Sequence, residues 1–134
     1  MTGRATSRGG VMLAAIAAVV ATAGCEVDPP DRWHYIYETV VTPSCTTSAC
    51  HSQLAHSAML DLSDDATAFE ALTGRACGDD AMASGLVNVA SPRDSLLSIM
   101  LRRTGPTGMP PNARLPDGEI ELIEQWMQRG APCD

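Results

Sequence analysis

The sequence has no lysine, and its nine arginines face sixteen aspartates and glutamates. A stripe of basic side chains that neutralises phosphates is therefore missing, which excludes nucleic acid as a partner. Aromatic residues are also scarce, with one phenylalanine, two tyrosines and two tryptophans among 134 residues. The main apolar run, from Val11 to Ala23, has 13 residues, fewer than the roughly 20 that a membrane-spanning helix needs. The sequence thus predicts no transmembrane anchor.

The amino terminus has the pattern of a secretory signal. Arg4 and Arg8 precede the apolar run, and small residues follow it as far as Gly24. Such a basic start, short apolar centre and small-residue exit are typical of a segment that is removed on export. We therefore predict a signal peptide over residues 1–24, an anchor and tether over residues 25–31 and one domain over residues 32–134. The exported chain keeps seven arginines against the sixteen acidic residues, a formal charge of −9, which suits solubility and a basic partner.

Two cleavage sites fit the end of the signal. Ala23-Gly24-Cys25 resembles a bacterial lipobox, whose cysteine is acylated and becomes the new N-terminus, although lipoboxes usually have leucine where this chain has Thr22. The segment 21–23 also reads as an ordinary A-x-A site. Acylation of Cys25 leaves four of the five cysteines, whereas the other site leaves an odd thiol. Cysteine parity therefore favours a lipoprotein, attached to the membrane by several acyl chains.

Apolar residues recur at helical spacing in four segments of the predicted domain. The first covers residues 32–41 and is expected to end before Pro43, since proline cannot continue a helix. The last covers residues 118–128 and ends at Gly130. The N-cap candidates of the second, third and last helices are Ser63, Ser91 and Asp117. We predict an all-α fold of about four short helices joined by long loops.

The core of this fold lacks large side chains. Helices of about 10 to 12 residues are marginal in water and need a packed partner. The loop from Gly105 to Pro116 is also longer than is usual for a connection without a function. A large apolar cofactor that is held covalently would supply the missing core.

Cys45-Thr-Thr-Ser-Ala-Cys50-His51 extends the C-x-x-C-H attachment motif of heme c by two residues. Two thiols can form thioethers with the two vinyl groups of a heme, and the following imidazole can bind the iron. Cys45 and Cys50 are thus candidates for the thioethers and His51 for the proximal ligand. The alternative is a local disulfide between the two cysteines, which an oxidising compartment allows. Zinc is a third possibility, but the motif offers adjacent ligands and no fourth.

Met109 lies 58 residues after His51 in a Gly-Met-Pro-Pro loop, and a distal ligand of a class I cytochrome comes from such a downstream loop. It can also be an ordinary loop methionine. Met100 and Met127 occupy helical faces and are predicted to be core residues. His34 is expected on the surface of the first helix, and His56 is a weaker candidate than Met109 for the distal position.

These pieces together resemble the cytochrome c domains of bacterial envelope proteins of the planctomycete and myxobacterial type. The matching segments are CTTSACH, LDLS, SPRDSLLSIMLRR, GMPP and LPDGEIELIEQWMQRGAP, in the order that is typical of the family, over residues 33–132. This chain has four residues between the cysteines, and Met59 stands where the family has glycine before LDLS. The resemblance implies a small class I cytochrome c-like domain in which Trp126 packs against Trp33 or Tyr37.

By this resemblance, one heme c is bound covalently by Cys45 and Cys50, with His51 as proximal and Met109 as distal ligand. The implied function is electron transfer with redox partner proteins of the cell envelope, and no independent enzyme activity. Cys77 and Cys133 remain, and we expect a disulfide between them. The alternative function is that of a heme-free envelope lipoprotein, stapled by disulfides, with a structural or interaction role. That alternative predicts a second disulfide, between Cys45 and Cys50.

Overall fold

The computed structural model describes Met1 and residues 30–134. The predicted signal peptide, the acylation site Cys25 and the tether as far as residue 29 lie outside the described residues. Among the residues described, no helix has the length and apolar character needed to cross a bilayer.

Four helices make up the domain, and residues 30–134 contain no strand. Helix α1 consists of three consecutive segments, Trp33–Ile36, the π-helical Tyr37–Val41, and Thr42–Cys45. The other helices are α2 (Asp65–Thr73), α3 (Leu96–Arg102) and α4 (Asp117–Gln128). Short 3₁₀ turns lie at Ser57–Met59, Pro92–Asp94 and Gly105–Thr107. The prediction of a small all-α fold with long loops is confirmed.

The prediction that Pro43 ends the first helix is wrong, because α1 continues to Cys45. The π-helical segment immediately before the proline explains the difference. There the amide of Thr42 bonds the carbonyl of Tyr37, five residues back, which widens the turn. A wider turn accommodates Pro43, which has no amide proton and whose ring would crowd the preceding turn of a regular α-helix.

The N-caps differ from the predicted ones by one to four residues. Asp64, and not Ser63, caps α2, because its carboxylate accepts a 3.0 Å hydrogen bond from the amide of Thr67. Ser95 caps α3, while Ser91 precedes the separate turn Pro92–Asp94. Asp117 is the first residue of α4 and not its cap. Periodicity located each helix, and side-chain hydrogen bonding chose the first residue of α2 and α3. Pro116 precedes α4 without a side-chain cap.

Aromatic residues from three helices form the centre of the core. The ring centroids of Trp33 on α1 and Trp126 on α4 are 5.1 Å apart, which confirms the predicted contact between the first and last helices. Phe69 on α2 packs edge-on against Trp33 at 5.6 Å. The indole nitrogen of Trp126 donates a 2.7 Å hydrogen bond to the carbonyl of Pro132. The ring of Tyr37 lies 5.9 Å from that of Trp33, so four of the five aromatic side chains meet in this cluster.

A disulfide between Cys77 and Cys133 links the loop after α2 to the end of the chain, with Cα atoms 5.4 Å apart. It closes 56 residues of sequence, which corresponds to about 4 kcal/mol in the chain-entropy model. Arg75 supports the same junction, because its guanidinium donates a 2.8 Å hydrogen bond to Ala131 and lies over the Phe69 ring.

Glu124 is a buried carboxylate on the face of α4 that packs against α3. Arg102 donates two hydrogen bonds to it, of 2.9 and 2.8 Å, and Arg93 lies 3.5 Å from the same carboxylate. The bonds from Arg102 hold the pKa of Glu124 below its ordinary value. A paired geometry of this kind ties α3 to α4.

We expect Glu124→Gln to lower the free energy of unfolding by about 1–3 kcal/mol at pH 7, because Arg102 loses its charged acceptor. A carboxyl with a lowered pKa contributes stability above its ordinary pKa of about 4.3 and loses it as the pH falls through the folded value. The difference between variant and wild type should therefore shrink in urea denaturation at pH 3. Glu121→Gln, at an exposed position of the same helix, is the control, and an equal loss in both variants would contradict the assignment.

Candidate functional site

An apolar cavity of about 610 Å³ lies between α1, α3 and α4. Its volume falls within the roughly 300–1,000 Å³ of pockets that hold small molecules and cofactors. Trp33, Ile36 and Trp126 form part of its wall, so the cavity adjoins the aromatic centre of the core. Among the described residues that line it, none is an aspartate, a glutamate or an arginine. The walls therefore suit an apolar ligand.

The four residues predicted to bind a cofactor all line this cavity. Cys45, Cys50 and His51 come from the end of α1 and the turn after it, and Met109 comes from the loop before α4. Two segments that are 58 residues apart in sequence thus meet at one site. Cys77 and Cys133 lie elsewhere, in the disulfide.

The four residues between Cys45 and Cys50 form a compact turn. The amide of Cys50 bonds the carbonyl of Thr47 at 2.9 Å, and the amide of His51 bonds the carbonyl of Cys45 at 3.0 Å. The second bond satisfies a carbonyl at the end of α1 that has no partner inside the helix. The chain therefore folds back, and the longer spacing keeps both cysteines on the cavity wall.

Both cysteines of the motif are free thiols. Burial, and to a lesser degree the neighbouring Cys50, raises the pKa of the Cys45 thiol to about 11. This thiol is protonated at neutral pH, which makes it a poor spontaneous nucleophile. Spontaneous thiol–disulfide exchange through Cys45 is therefore slow at neutral pH.

The imidazole of His51 is buried and held by a single backbone contact. Its Nδ1 lies 3.0 Å from the carbonyl oxygen of Ser57. A carbonyl oxygen only accepts hydrogen bonds, so Nδ1 carries the proton and Nε2 keeps a free lone pair. This is the arrangement that orients a histidine as a metal ligand, with the second nitrogen fixed by an outer partner.

The loop that carries Met109 is held by close backbone packing. The amide of Met109 bonds the carbonyl of Met100 at 2.9 Å. A Cβ atom at Gly108 would overlap the carbonyl oxygen of Arg103, so only glycine fits there. The loop thus cannot move away from α3 without breaking both contacts, and the thioether of Met109 stays at the cavity.

Sequence reasoning missed two features of the site. Met100 was predicted to be a core residue, but it lines the cavity and its sulfur accepts a 3.7 Å hydrogen bond from Arg103. Met127, in contrast, is fully buried as predicted. The contact of His51 with Ser57 uses a backbone atom, so no side-chain pattern in the sequence signals it.

The other two histidines lie away from the cavity wall. His34 is exposed on α1, as predicted, and its Nδ1 lies 2.8 Å from the carboxylate of Asp65. His56 is also exposed, and its Nε2 lies 3.1 Å from Asp61, so the structure does not place it as an alternative to Met109. Among the described residues, no three His, Cys, Asp or Glu side chains are grouped as a metal site.

Met59 occupies a left-handed backbone conformation, with φ of +60°, and its side chain is almost fully exposed. This conformation favours glycine, because a Cβ atom crowds the following carbonyl oxygen. A methionine at this position therefore has a physical cost, which its side chain does not offset by burial.

We expect Met59→Gly to raise the free energy of unfolding by about 0.5–1 kcal/mol. Glycine relieves the strain of the left-handed conformation, and its greater entropy in the unfolded chain offsets part of that gain. Thermal and urea denaturation measure the change. Met82→Gly is the matched control, since Met82 is also exposed but has no left-handed conformation. Stabilisation in both variants, or in neither, would show that φ at position 59 carries no strain.

No protein-family model, curated protein or solved structure matches this chain. Evidence for the function of the site therefore comes from its own residues. These are the two thiols, the oriented imidazole and the thioether on the wall of the apolar cavity.

Proposed function

We propose that this protein is a monoheme c-type cytochrome that transfers electrons in the bacterial cell envelope. One observation carries the proposal. The apolar cavity has on its wall two free thiols, an imidazole whose Nε2 is free and a thioether. These are the groups that bind a heme covalently and coordinate its iron.

The residues fit the group in type and surroundings. Cys45 and Cys50 would hold the porphyrin through thioethers, and both are reduced, as that reaction requires. His51 would be the proximal ligand, because its Nδ1 is already engaged by Ser57. Met109 would be the distal ligand, since its loop holds it at the same cavity.

Heme c supplies a one-electron couple between ferric and ferrous iron, and ligation by His and Met raises its potential above that of two histidines. The chain's own residues set the environment of that couple. Trp33, Trp126 and the aliphatic side chains give the cavity an apolar wall, and no ionised carboxylate or guanidinium lies on the described wall. Such a wall would disfavour the additional positive charge of a ferric heme and therefore favour its ferrous state.

We further propose that the chain is exported and attached to the membrane through acyl chains on Cys25. The signal-like segment, the lipobox-like Ala23-Gly24-Cys25 and cysteine parity support this proposal. The partners would be redox proteins of the envelope. The acidic chain suits a basic docking surface on such a partner.

The heme-free lipoprotein with a structural role is the competing function. It predicts a disulfide between Cys45 and Cys50, whereas both are thiols in the structure and the only described disulfide joins Cys77 to Cys133. A purely structural role also leaves the cavity unexplained. We therefore favour the cytochrome.

Expression of the full chain with the c-type maturation machinery should yield a coloured protein with a heme c band in the pyridine hemochrome spectrum. The intact mass should increase by one heme, because Cys45 and Cys50 hold it covalently. A colourless protein of unmodified mass, from cells that load a known cytochrome, would refute the function. Replacing both cysteines by alanine should abolish covalent loading.

Met109→Ala should then remove the long-wavelength Met–iron absorption of the ferric protein. Met100→Ala is the matched control, because Met100 also lines the cavity but its sulfur is engaged by Arg103. Persistence of the band in Met109→Ala would show that Met109 is not the distal ligand. Loss of the band in Met100→Ala alone would assign that role to Met100.

Metabolic labelling with palmitate tests the anchor. We expect the label on the wild-type chain, and Cys25→Ser should abolish it because the acylated thiol is removed. Cys45→Ser is the control for a general effect of cysteine loss. An unlabelled wild-type chain would favour cleavage after Ala23 and a soluble exported protein.

A further inference from the structure

Left-handed backbone conformations cluster beside the proposed proximal ligand. Five non-glycine residues of the described chain have positive φ, and three of them, His56, Ala58 and Met59, lie within four consecutive positions. All three side chains are exposed, so their burial does not offset the cost of the conformation. Strain of this kind persists only where the surroundings enforce it.

The residue inside this cluster is Ser57, whose carbonyl accepts the hydrogen bond from His51 at 3.0 Å. Its amide bonds the carbonyl of Cys50 at 3.2 Å, and the amide of Leu62 bonds the carbonyl of His51 at 2.8 Å. The strained segment thus folds back on the Cys50–His51 turn. The conformation has one evident result, which is the position of the Ser57 carbonyl.

A contact between the side chains of His56 and Asp61 links the start of this segment to the residues that follow it. His56 Nε2 lies 3.1 Å from the carboxylate of Asp61, and the other oxygen of Asp61 accepts a 2.9 Å hydrogen bond from the amide of Ser63. Hydrogen bonds from Ser63, with a smaller contribution from His56, lower the pKa of Asp61. The carboxylate is therefore ionised and joins residues 56 and 63 across the strained segment.

We infer that His56 and Asp61 are positioning residues for His51: their contact holds the strained segment so that the Ser57 carbonyl fixes the imidazole with Nε2 free. The inference rests on the proposed role of His51 as a ligand. Neither residue touches the cofactor site itself. Their effect passes through one backbone carbonyl, which sets both the orientation and the basicity of the imidazole.

His56→Ala removes the contact and keeps a non-glycine residue at position 56. With the segment released, we expect the His51 Nδ1 proton to exchange with water about fivefold faster, the ratio that one ordinary hydrogen bond represents. NMR on the full chain as purified measures this rate, with or without heme. In the heme-loaded protein, the midpoint potential of the ferric/ferrous couple should be higher in His56→Ala than in the wild type. The reason is that a less basic imidazole stabilises the ferric state less.

Two variants make the test specific. His56→Gln places an amide donor near the position of Nε2 and should restore both the exchange rate and the potential. His34→Ala removes another exposed histidine–carboxylate contact, with Asp65 at 2.8 Å. It should change neither, because His34 lies on α1 and not on the segment that carries Ser57. If His56→Ala does not fold, Asp61→Ala is expected to give the same two shifts.

Unchanged exchange and potential in the folded variant would overturn the inference, and so would failure of His56→Gln to restore them. Shifts of equal size in His34→Ala would also overturn it, since they would reflect surface charge alone. The absence of a hemochrome band in the wild type would instead refute the proposed function. In that case the exchange rate still decides whether His56 and Asp61 position His51.

Discussion

The contact between Trp33 and Trp126 joins the first helix to the last, and the position of the cysteine–histidine turn depends on it. Both rings are fully buried, 5.1 Å apart at their centroids, and both form part of the cavity wall. Because Trp33 begins α1 and Cys45 ends it, the helix transmits the position of the aromatic contact to the thiols. Core packing and site geometry are therefore two aspects of one arrangement, and a change at the tryptophans would displace the cysteine–histidine turn.

Much of the fold could be predicted, because hydrophobic periodicity reports which face of a helix is buried. The face of α4 that includes Ile123, Trp126 and Met127 was recognisable in this way, and these side chains are buried. The passage of α1 through Pro43 was not predictable, because it depends on a π-helical turn that no local pattern specifies. The same is true of the caps, where Asp64 and Ser95 replaced the neighbours that composition favoured.

The site could be predicted as a set of residues but not as an arrangement. Cys45, Cys50, His51 and Met109 were identified by type and spacing, and the shortage of aromatic side chains pointed to a missing volume in the core. The structure adds a cavity of about 610 Å³ at that place. The spacing of the motif could not show whether the thiols were joined, since that depends on the turn formed by residues 46–49 and on burial of Cys45.

The hydrogen-bond acceptor of His51 belongs to the peptide backbone, and this has a consequence for how the chain can vary. Any amino acid except one that distorts the segment supplies the same carbonyl at position 57, so the hydrogen bond to His51 does not constrain which residue stands there. The number of residues between His51 and Leu62 is not, because one insertion or deletion there would carry the carbonyl away from the imidazole. In related chains, the length of this segment should therefore be conserved more strictly than its amino-acid sequence.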